Sequence, residues 1–299
     1  MSGFSTADIP DLTGRTVIIT GANRGIGLET AKAFTRAGAH VVLAVRDEAS
    51  GHAAAATLPG PGSKAVLVLN LASLDSVRAF TRDWAGQPID LLINNAGVMV
   101  PPLSRTSDGF ELQFGTNHLG HFALTNLLLP DVTGRVVTVS SNAHKFSRID
   151  FGDLNWERRK YKRWGAYGQS KLASLLFTVE LQRRLTEAGS KVLSMAAHPG
   201  YAATNPQFHS GSRLTDLALG LGNRFFAQDA AGGALPTLYA ATADLPGNTF
   251  AGPSGLDGIH GAPGPCSRSK AANDPEAARR LWQVSERLTG VTFPEVHHP

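Results

Sequence analysis

A chain of 299 residues with 42% hydrophobic content is long enough to bury the core of one large α/β domain. Its 28 Lys and Arg against 24 Asp and Glu leave a net charge of only +4, spread along the chain, which is not the footprint of a nucleic-acid binder. The single cysteine, Cys266, excludes an intrachain disulfide and fits a reducing compartment.

The start of the chain holds Asp8 and Pro10 and lacks a basic start and an apolar core, so it does not read as a signal peptide. No run approaches the ~18 apolar residues of a membrane helix. The expectation is a cytoplasmic protein without an integral membrane segment.

The first regular element is Thr16-Val17-Ile18-Ile19-Thr20, a β-branched run of the kind that makes a buried strand. It ends in Gly21-Ala22-Asn23-Arg24-Gly25-Ile26-Gly27, and a helix follows with Leu28, Ala31 and Phe34 on one face and Gly38 as its stop. His40–Val45 is a second strand, which completes a βαβ unit and makes the two strands parallel. A Gly/Pro-rich loop at 58–63 leads to a third strand at 65–69, then a helix at 75–84, a strand at 89–93, a helix at 117–129 and a strand at 135–139. A helix carrying Tyr167 and a strand at 191–197 follow. Such alternation over nearly 200 residues predicts one α/β domain spanning 1–299, a Rossmann-type doubly wound parallel sheet of about seven strands with helices on both faces.

After that sheet, 201–228 mixes Phe208, Leu214, Leu217, Phe225 and Phe226 with Gly and Asn, which reads as a substrate lid with apolar contacts, ordinary helix core being the alternative. The C-terminal stretch 247–299 begins as a Gly/Pro-rich loop beyond a last strand ending near Thr249. Within it Asp274-Pro275-Glu276 opens a helix with Leu281, Val284 and Leu288 on one face, and Gly290 closes it.

Glycines 21, 25 and 27 between a strand and a helix allow a tight turn and let a pyrophosphate approach backbone N–H groups at a helix N-terminus. About 20 residues on, where an acidic residue would bind the ribose hydroxyls of NAD, the chain has Arg46, and Arg24 lies in the turn itself. Two guanidiniums there suit the 2′-phosphate of NADP(H). Tyr167 and Lys171 stand four residues apart on one helix face, the only one of the chain's four tyrosines with such a partner. A nearby ammonium favours the phenolate and moves a phenol of pKa near 10 toward neutrality.

These motifs resemble those of the short-chain dehydrogenases/reductases. Thr20-Gly21-x-x-x-Gly25-x-Gly27 is similar to that family's cofactor turn, Asn94-Asn95-Ala96-Gly97 to the motif after its fourth strand, Tyr167-x-x-x-Lys171 to its active site, and Pro199-Gly200 to the turn after its sixth strand. They span about 14–204 in family order. Asn117-His118-Leu119-Gly120-His121-Phe122, Val139-Ser140-Ser141-Asn142-Ala143-His144 and His198-Pro199-Gly200 resemble the retinol-dehydrogenase-like and protochlorophyllide-reductase-like subgroup.

The resemblance implies an NADP(H)-dependent oxidoreductase that passes hydride between nicotinamide and a carbonyl/alcohol pair, with Tyr167 as general acid or base. It gives Lys171 the lowering of the phenol pKa and a hold on the ribose, Ser141 the developing oxyanion, and Asn117 a water relay from Lys171 to solvent. Strand alternation turns only one of Ser140 and Ser141 to the nicotinamide, and the family register favours Ser141. Cofactor contacts are expected from Gly21, Asn23, Arg24, Gly25, Ile26, Gly27, Arg46, Asn70, Leu71, Asn94, Ala96, Gly97, Tyr167, Lys171, Pro199, Gly200 and Thr204. The lid implies a lipophilic substrate; homo-oligomerisation is left open.

Two features depart from the family pattern. Asn70-Leu71 stands where an adenine-binding Asp is usual, and an amide both donates and accepts. Ser141 and Tyr167 are 26 residues apart, about twice the shorter family spacing, and the segment between carries the basic run 157–163. That run reads as a solvated surface helix in preference to a flap attracting acidic substrates or a membrane surface. His118, His121, His144 and His198 lack a Cys, Asp or Glu to complete a metal set and read as packing or hydrogen-bonding groups, and Cys266 lacks a companion His motif for a nucleophile. A nonenzymatic cofactor sensor on the same fold and an epimerase or dehydratase of the extended relatives are the competing readings. An intact Asn117, Ser141, Tyr167 and Lys171 set disfavours the first, and the glycine spacing disfavours the second.

Overall fold

Runs of Val, Ile and Leu that lack polar alternation become strands covered on both faces. β1 (Thr16–Thr20), β2 (His40–Val45), β4 (Ile89–Asn94), β5 (Val132–Val139) and β6 (Leu193–Ala197) are buried along most of their length at the centre of the core. The computed structural model describes residues 3–84, 86–200, 230–255, 258 and 260–295. With β3 (Lys64–Val68), β7 (Phe250–Pro253) and β8 (Pro263–Pro265) the sheet has eight strands in the order β3-β2-β1-β4-β5-β6-β7-β8. All pairs are parallel except β7 with β8. The reversal of order between β1 and β4 opens the crevice where such sheets bind ligands, at the strand C-terminal ends.

Helices cover both faces. α1 (Gly25–Arg36) and α6 (Ala230–Thr242) share a core with β1, β2 and β6. α2 (Glu48–Ala56) lies beside them, and α3 (Leu74–Trp84), α4 (Gly120–Leu128) and α5 (Arg163–Glu187) pack on the other face. α7 (Pro275–Thr289) lies outside α5, where Trp282 stacks on Phe177 at 5.7 Å and meets Phe122 edge-on at 4.8 Å. Its start and stop follow the sequence: the Asp274 carboxylate accepts from the N–H groups of Glu276 and Ala277, and Gly290 takes a left-handed φ of 64°.

Several elements differ from expectation. The seven expected strands are joined by β8, whose Pro-Gly-Pro sequence carries no strand pattern, and prolines sit at a sheet edge because no N–H is needed there. The last parallel strand begins at Phe250, just beyond the expected end at Thr249. α2 and α6 are rich in Ala and Gly and show too little apolar periodicity to be read as helices. The helix expected at 117–129 begins earlier, with an α-turn at Leu112–Phe114 and a π-turn at Gly115–Leu119 leading into α4. The run 157–163 is not a helix: the Asp153 carboxylate gathers the N–H groups of Glu157, Arg158 and Arg159, and the Arg159 guanidinium lies 3.6 Å from the Trp156 ring centroid. The expected lid at 201–228 lies outside the described residues.

Candidate active site

Gly21 continues β1 into the crevice at φ 66°, and a Cβ there would lie 3.0 Å from that of Ala96. Gly25 opens α1 at φ 56°. A Cβ on Gly27 would lie 2.5 Å from the Gly21 carbonyl oxygen, so only glycine lets the helix close on the turn. Arg24 occupies the N-cap of α1 without a side-chain capping bond, which leaves the first N–H groups and the positive helix end for a pyrophosphate, with Ile26 packed beneath. A nicotinamide dinucleotide therefore fits the residues present.

Arg24 and Arg46 are both exposed, and neither forms an ion pair among the described residues. The acid beside Arg46, Asp47, is committed elsewhere. Its carboxylate caps α2 at the N–H of Ser50 at 2.7 Å, and that bond with the Ser50 hydroxyl contact holds its pKa below the usual value. The Asn23 amide donates to Ser50 Oγ at 3.0 Å, which ties the glycine turn to the start of α2. Asn70 accepts from the Ala72 N–H at 3.1 Å in a side-chain turn, so its remaining free group is the NH2. Leu71 is buried, and its carbonyl faces Gly120, where a Cβ would lie 2.3 Å away.

After β4 the sequence expectation needs correction. Asn94 does not face the crevice: its amide is buried between β4, β5 and α4 and donates to Thr125 Oγ1 at 2.9 Å. Alternation turns Asn95 the other way, where its amide donates to the Thr20 carbonyl at 2.8 Å and braces the glycine turn. The N–H of Ala96 donates to Thr20 Oγ1 at 2.9 Å. Gly97 passes so close to Asn117 and Lys171 that a Cβ would lie 3.2 Å from Asn117 Oδ1 and 3.5 Å from Lys171 Nζ.

The serine pair at the end of β5 divides as the alternation predicts. Ser140 is buried and donates to the Lys171 carbonyl at 2.8 Å. Ser141 caps the following 3-10 turn by accepting from the Ala143 N–H at 3.2 Å, and its side chain acts on the Tyr167 phenol to lower its pKa. α5 carries Tyr167 and Lys171 into the crevice, and Gly168 lets the chain after Ser141 pack against it: a Cβ there would lie 1.9 Å from Ser147 Oγ. Lys171 Nζ stands 5.9 Å from the Tyr167 ring centroid and donates to the Val139 carbonyl at 2.8 Å.

The titration of this pair differs from the sequence expectation. Burial raises the Tyr167 pKa above its ordinary value, the Ser141 side chain opposes that, and the lysine charge contributes no resolved lowering. Burial brings Lys171 down to about 8. Burial disfavours both charged forms, so the protein alone holds a neutral phenol beside an amine that titrates near neutrality.

Asn117 sits in the π-turn with its side chain fully engaged. Oδ1 accepts from the Val98 N–H at 2.8 Å, and Nδ2 donates to the Val98 carbonyl and to Ser170 Oγ, both at 2.9 Å. Any water it positions is held through its main-chain carbonyl. The four histidines bind the surrounding elements together: His118 to Ser285 at 2.7 Å, His121 to Thr20 and Asn117, His144 to the Ser141 carbonyl at 2.7 Å, and His198 to the Gly200 N–H at 3.2 Å. Gly200, after Pro199, takes φ 70°; Thr204 lies outside the described residues. A cavity of about 370 Å³ lined by Lys145, His198, Ser254 and Cys266 lies beyond the ends of β6 and β7, and burial holds the Cys266 thiol up at about 11.

Comparison with known proteins agrees with this architecture. A model of the short chain dehydrogenase family matches residues 15–212. Human retinol dehydrogenase 13 is 44% identical over 98% of this chain and 88% of its own length. Mouse polyprenol dehydrogenase is 40% identical over 96% of this chain and 87% of its own. The crystal structure of an uncharacterised protein from Mycobacterium paratuberculosis superposes with a TM-score of 0.86 at 51% identity, covering 98% of this chain and all of that one. No helix among the described residues is long and apolar enough to cross a membrane. With the glycine turn, Ser141, Tyr167, Lys171 and Asn117 at one end of the sheet, the chain belongs to the short chain dehydrogenase family.

Proposed function

We propose that this protein is an NADP(H)-dependent oxidoreductase that interconverts a lipophilic alcohol and its carbonyl compound, with Tyr167 as the general acid or base. The observation that carries this reading is buried Lys171, with its Nζ 5.9 Å from the Tyr167 ring, beside a phenol on which the Ser141 side chain acts, at the crevice that the glycine turn opens. When bound, the nicotinamide gives or takes the hydride. Tyr167 gives its proton to the substrate oxygen in reduction and takes one in oxidation, and its raised pKa keeps that proton on the ring at neutral pH. Ser141 donates to the same oxygen as charge develops on it. Lys171, near its own titration point, returns a proton to the phenol and regains one from solvent by way of a water held at the Asn117 carbonyl.

The NADP(H) preference rests on Arg24 and Arg46 and on the engagement of Asp47 in capping α2. The lipophilic substrate class rests on the names of the relatives, retinol and polyprenol dehydrogenases. Placement in the cytoplasm rests on the sequence features alone. A polar cavity lined by Lys145 and His198 suits an oxygen-bearing substrate end.

The experiment follows NADPH and NADH absorbance with all-trans-retinal and a panel of long-chain aldehydes, with the alcohols run in reverse. Turnover with NADPH well above that with NADH is expected, and equal affinity for both in a fluorescence titration overturns the preference. Tyr167→Phe is expected to abolish turnover and leave NADPH binding intact; an active Phe variant removes the assigned role.

A further inference from the structure

His121 makes a complete set of contacts that the reaction above does not use. It follows Asn117 by one helical turn and is 2% exposed. Its Nδ1 lies 3.1 Å from the Asn117 carbonyl oxygen, which can only accept, so Nδ1 carries the proton. Nε2 lies 2.9 Å from Thr20 Oγ1. That oxygen already accepts from the N–H groups of Asn95 at 3.0 Å and Ala96 at 2.9 Å, so both of its lone pairs are taken. The Thr20 hydroxyl proton then has two destinations, Nε2 at 2.9 Å and the Ile93 carbonyl at 3.4 Å. The shorter contact to a bare nitrogen takes it. Only one assignment satisfies every group: a neutral ring, protonated on Nδ1, donating to Asn117 and accepting from Thr20.

Thr20 is the last residue of β1, where the glycine turn begins. Asn117 has no other free handle, because its side-chain amide is spent on Val98 and Ser170. We propose that His121 is a positioning residue, which fastens the main chain of the relay asparagine to the root of the cofactor turn and fixes the place where relay water is held. This rests on the oxidoreductase reading. A leucine would fill the same buried space without desolvating two ring nitrogens, so packing alone gives no reason for an imidazole here. The ring stays neutral because burial, with the nearby Lys171 charge acting in the same direction, brings its pKa down to about 4.

His121→Phe keeps an aromatic ring and removes both bonds, and His121→Gln offers an amide that can donate to Asn117 and accept from Thr20. With all-trans-retinal and NADPH, the Phe variant is expected to lose about tenfold or more in kcat, the scale of a displaced proton relay, with NADPH affinity by fluorescence titration retained. Its kcat/KM profile should shift along the pH axis, and the Gln variant should regain most of the lost rate and the original profile. An unchanged rate and profile in the Phe variant, or equal losses in both variants, overturns the proposal. A second measurement needs no turnover. The ¹⁵N shifts of the His121 ring in the wild-type protein are expected to report a neutral, Nδ1-protonated imidazole at about pH 7. An Nε2-protonated or cationic ring overturns the proposal even if retinal proves not to be a substrate, whereas absent turnover with the expected tautomer counts against the substrate reading alone.

Discussion

Ser140 and Ser141 are neighbours with the same side chain, and the strand end sends one hydroxyl into the helix backbone and the other to the phenol. Their substitutions therefore have different consequences. Ser141→Ala should lower kcat by roughly 10²–10³, the range for removal of one preorganised oxyanion donor, with a stability loss of about 1 kcal/mol from the lost cap of the 3-10 turn. Ser140→Ala leaves the Lys171 carbonyl without its hydroxyl donor and should lower stability by about 1 kcal/mol, with a small loss of rate. Steady-state kinetics of both variants separates the two roles, thermal denaturation measures the two stability losses, and interchanged effects on rate would assign the catalytic serine to the wrong residue.

The same alternation that separates the serines also separates Asn94 from Asn95. It was legible in the sequence, yet the motif there places both amides side by side and conceals that only Asn95 reaches the glycine turn. The titration of Tyr167 was less legible. Spacing places Lys171 on the same helix face, but it does not show that the Val139 carbonyl takes the ammonium or that burial outweighs its field.

Among the elements, the π-turn at Gly115–Leu119 links the crevice to α7. Within it Asn117 faces the crevice, and His118 faces outward to α7, where its Nε2 lies 2.7 Å from Ser285 Oγ. The Ser285 hydroxyl donates to the Leu281 carbonyl, so the ring must supply the proton of the His118 contact. Next to it Trp282 fills the space between Phe122 and Phe177, with the Arg184 guanidinium 4.6 Å from its ring. α7 thus braces the catalytic turn from behind. Trp282→Ala should cost about 3–5 kcal/mol in chemical denaturation because it empties a well-packed site, and a loss below about 1 kcal/mol would show that α7 is not part of the core. Ser285→Ala leaves the His118 N–H buried without an acceptor and should cost about 1–3 kcal/mol in the same assay.

α7 was fully legible because its start is a cap with a first-turn proline and its stop is a glycine. The π-turn was not, since an inserted residue leaves no mark on an apolar pattern this short. α2 and α6 were missed because alanine and glycine bury backbone without writing a stripe.

At the scale of the whole molecule, the parallel sheet was legible from the alternation of buried strands with helices, because right-handed crossovers leave few other ways to wind such a chain. The way the site is tied to the sheet was not legible, since it runs through buried histidines whose partners lie far away in sequence. Those rings make stability depend on acid. Burial holds His118 down at about 3, His121 at about 4 and His198 at about 4, with the neighbouring His121, Lys171 and Lys145 charges respectively acting in the same direction. In the unfolded chain each returns to about 6.5. Below that value the unfolded state binds protons that the native state refuses, so stability is complete above about pH 6.5 and falls as the pH drops toward 4. Burial holds His144 down as well, so four rings act together, each contributing a slope of roughly 1 kcal/mol per pH unit. Thermal midpoints measured from pH 7.5 to 4.5 should therefore fall steadily before the carboxylates titrate. His121→Phe should flatten that slope by about a quarter, because one of the four rings no longer takes up a proton on unfolding. A midpoint that stays level down to pH 4.5, or a slope the Phe variant leaves untouched, would mean that these rings are not held neutral in the folded protein.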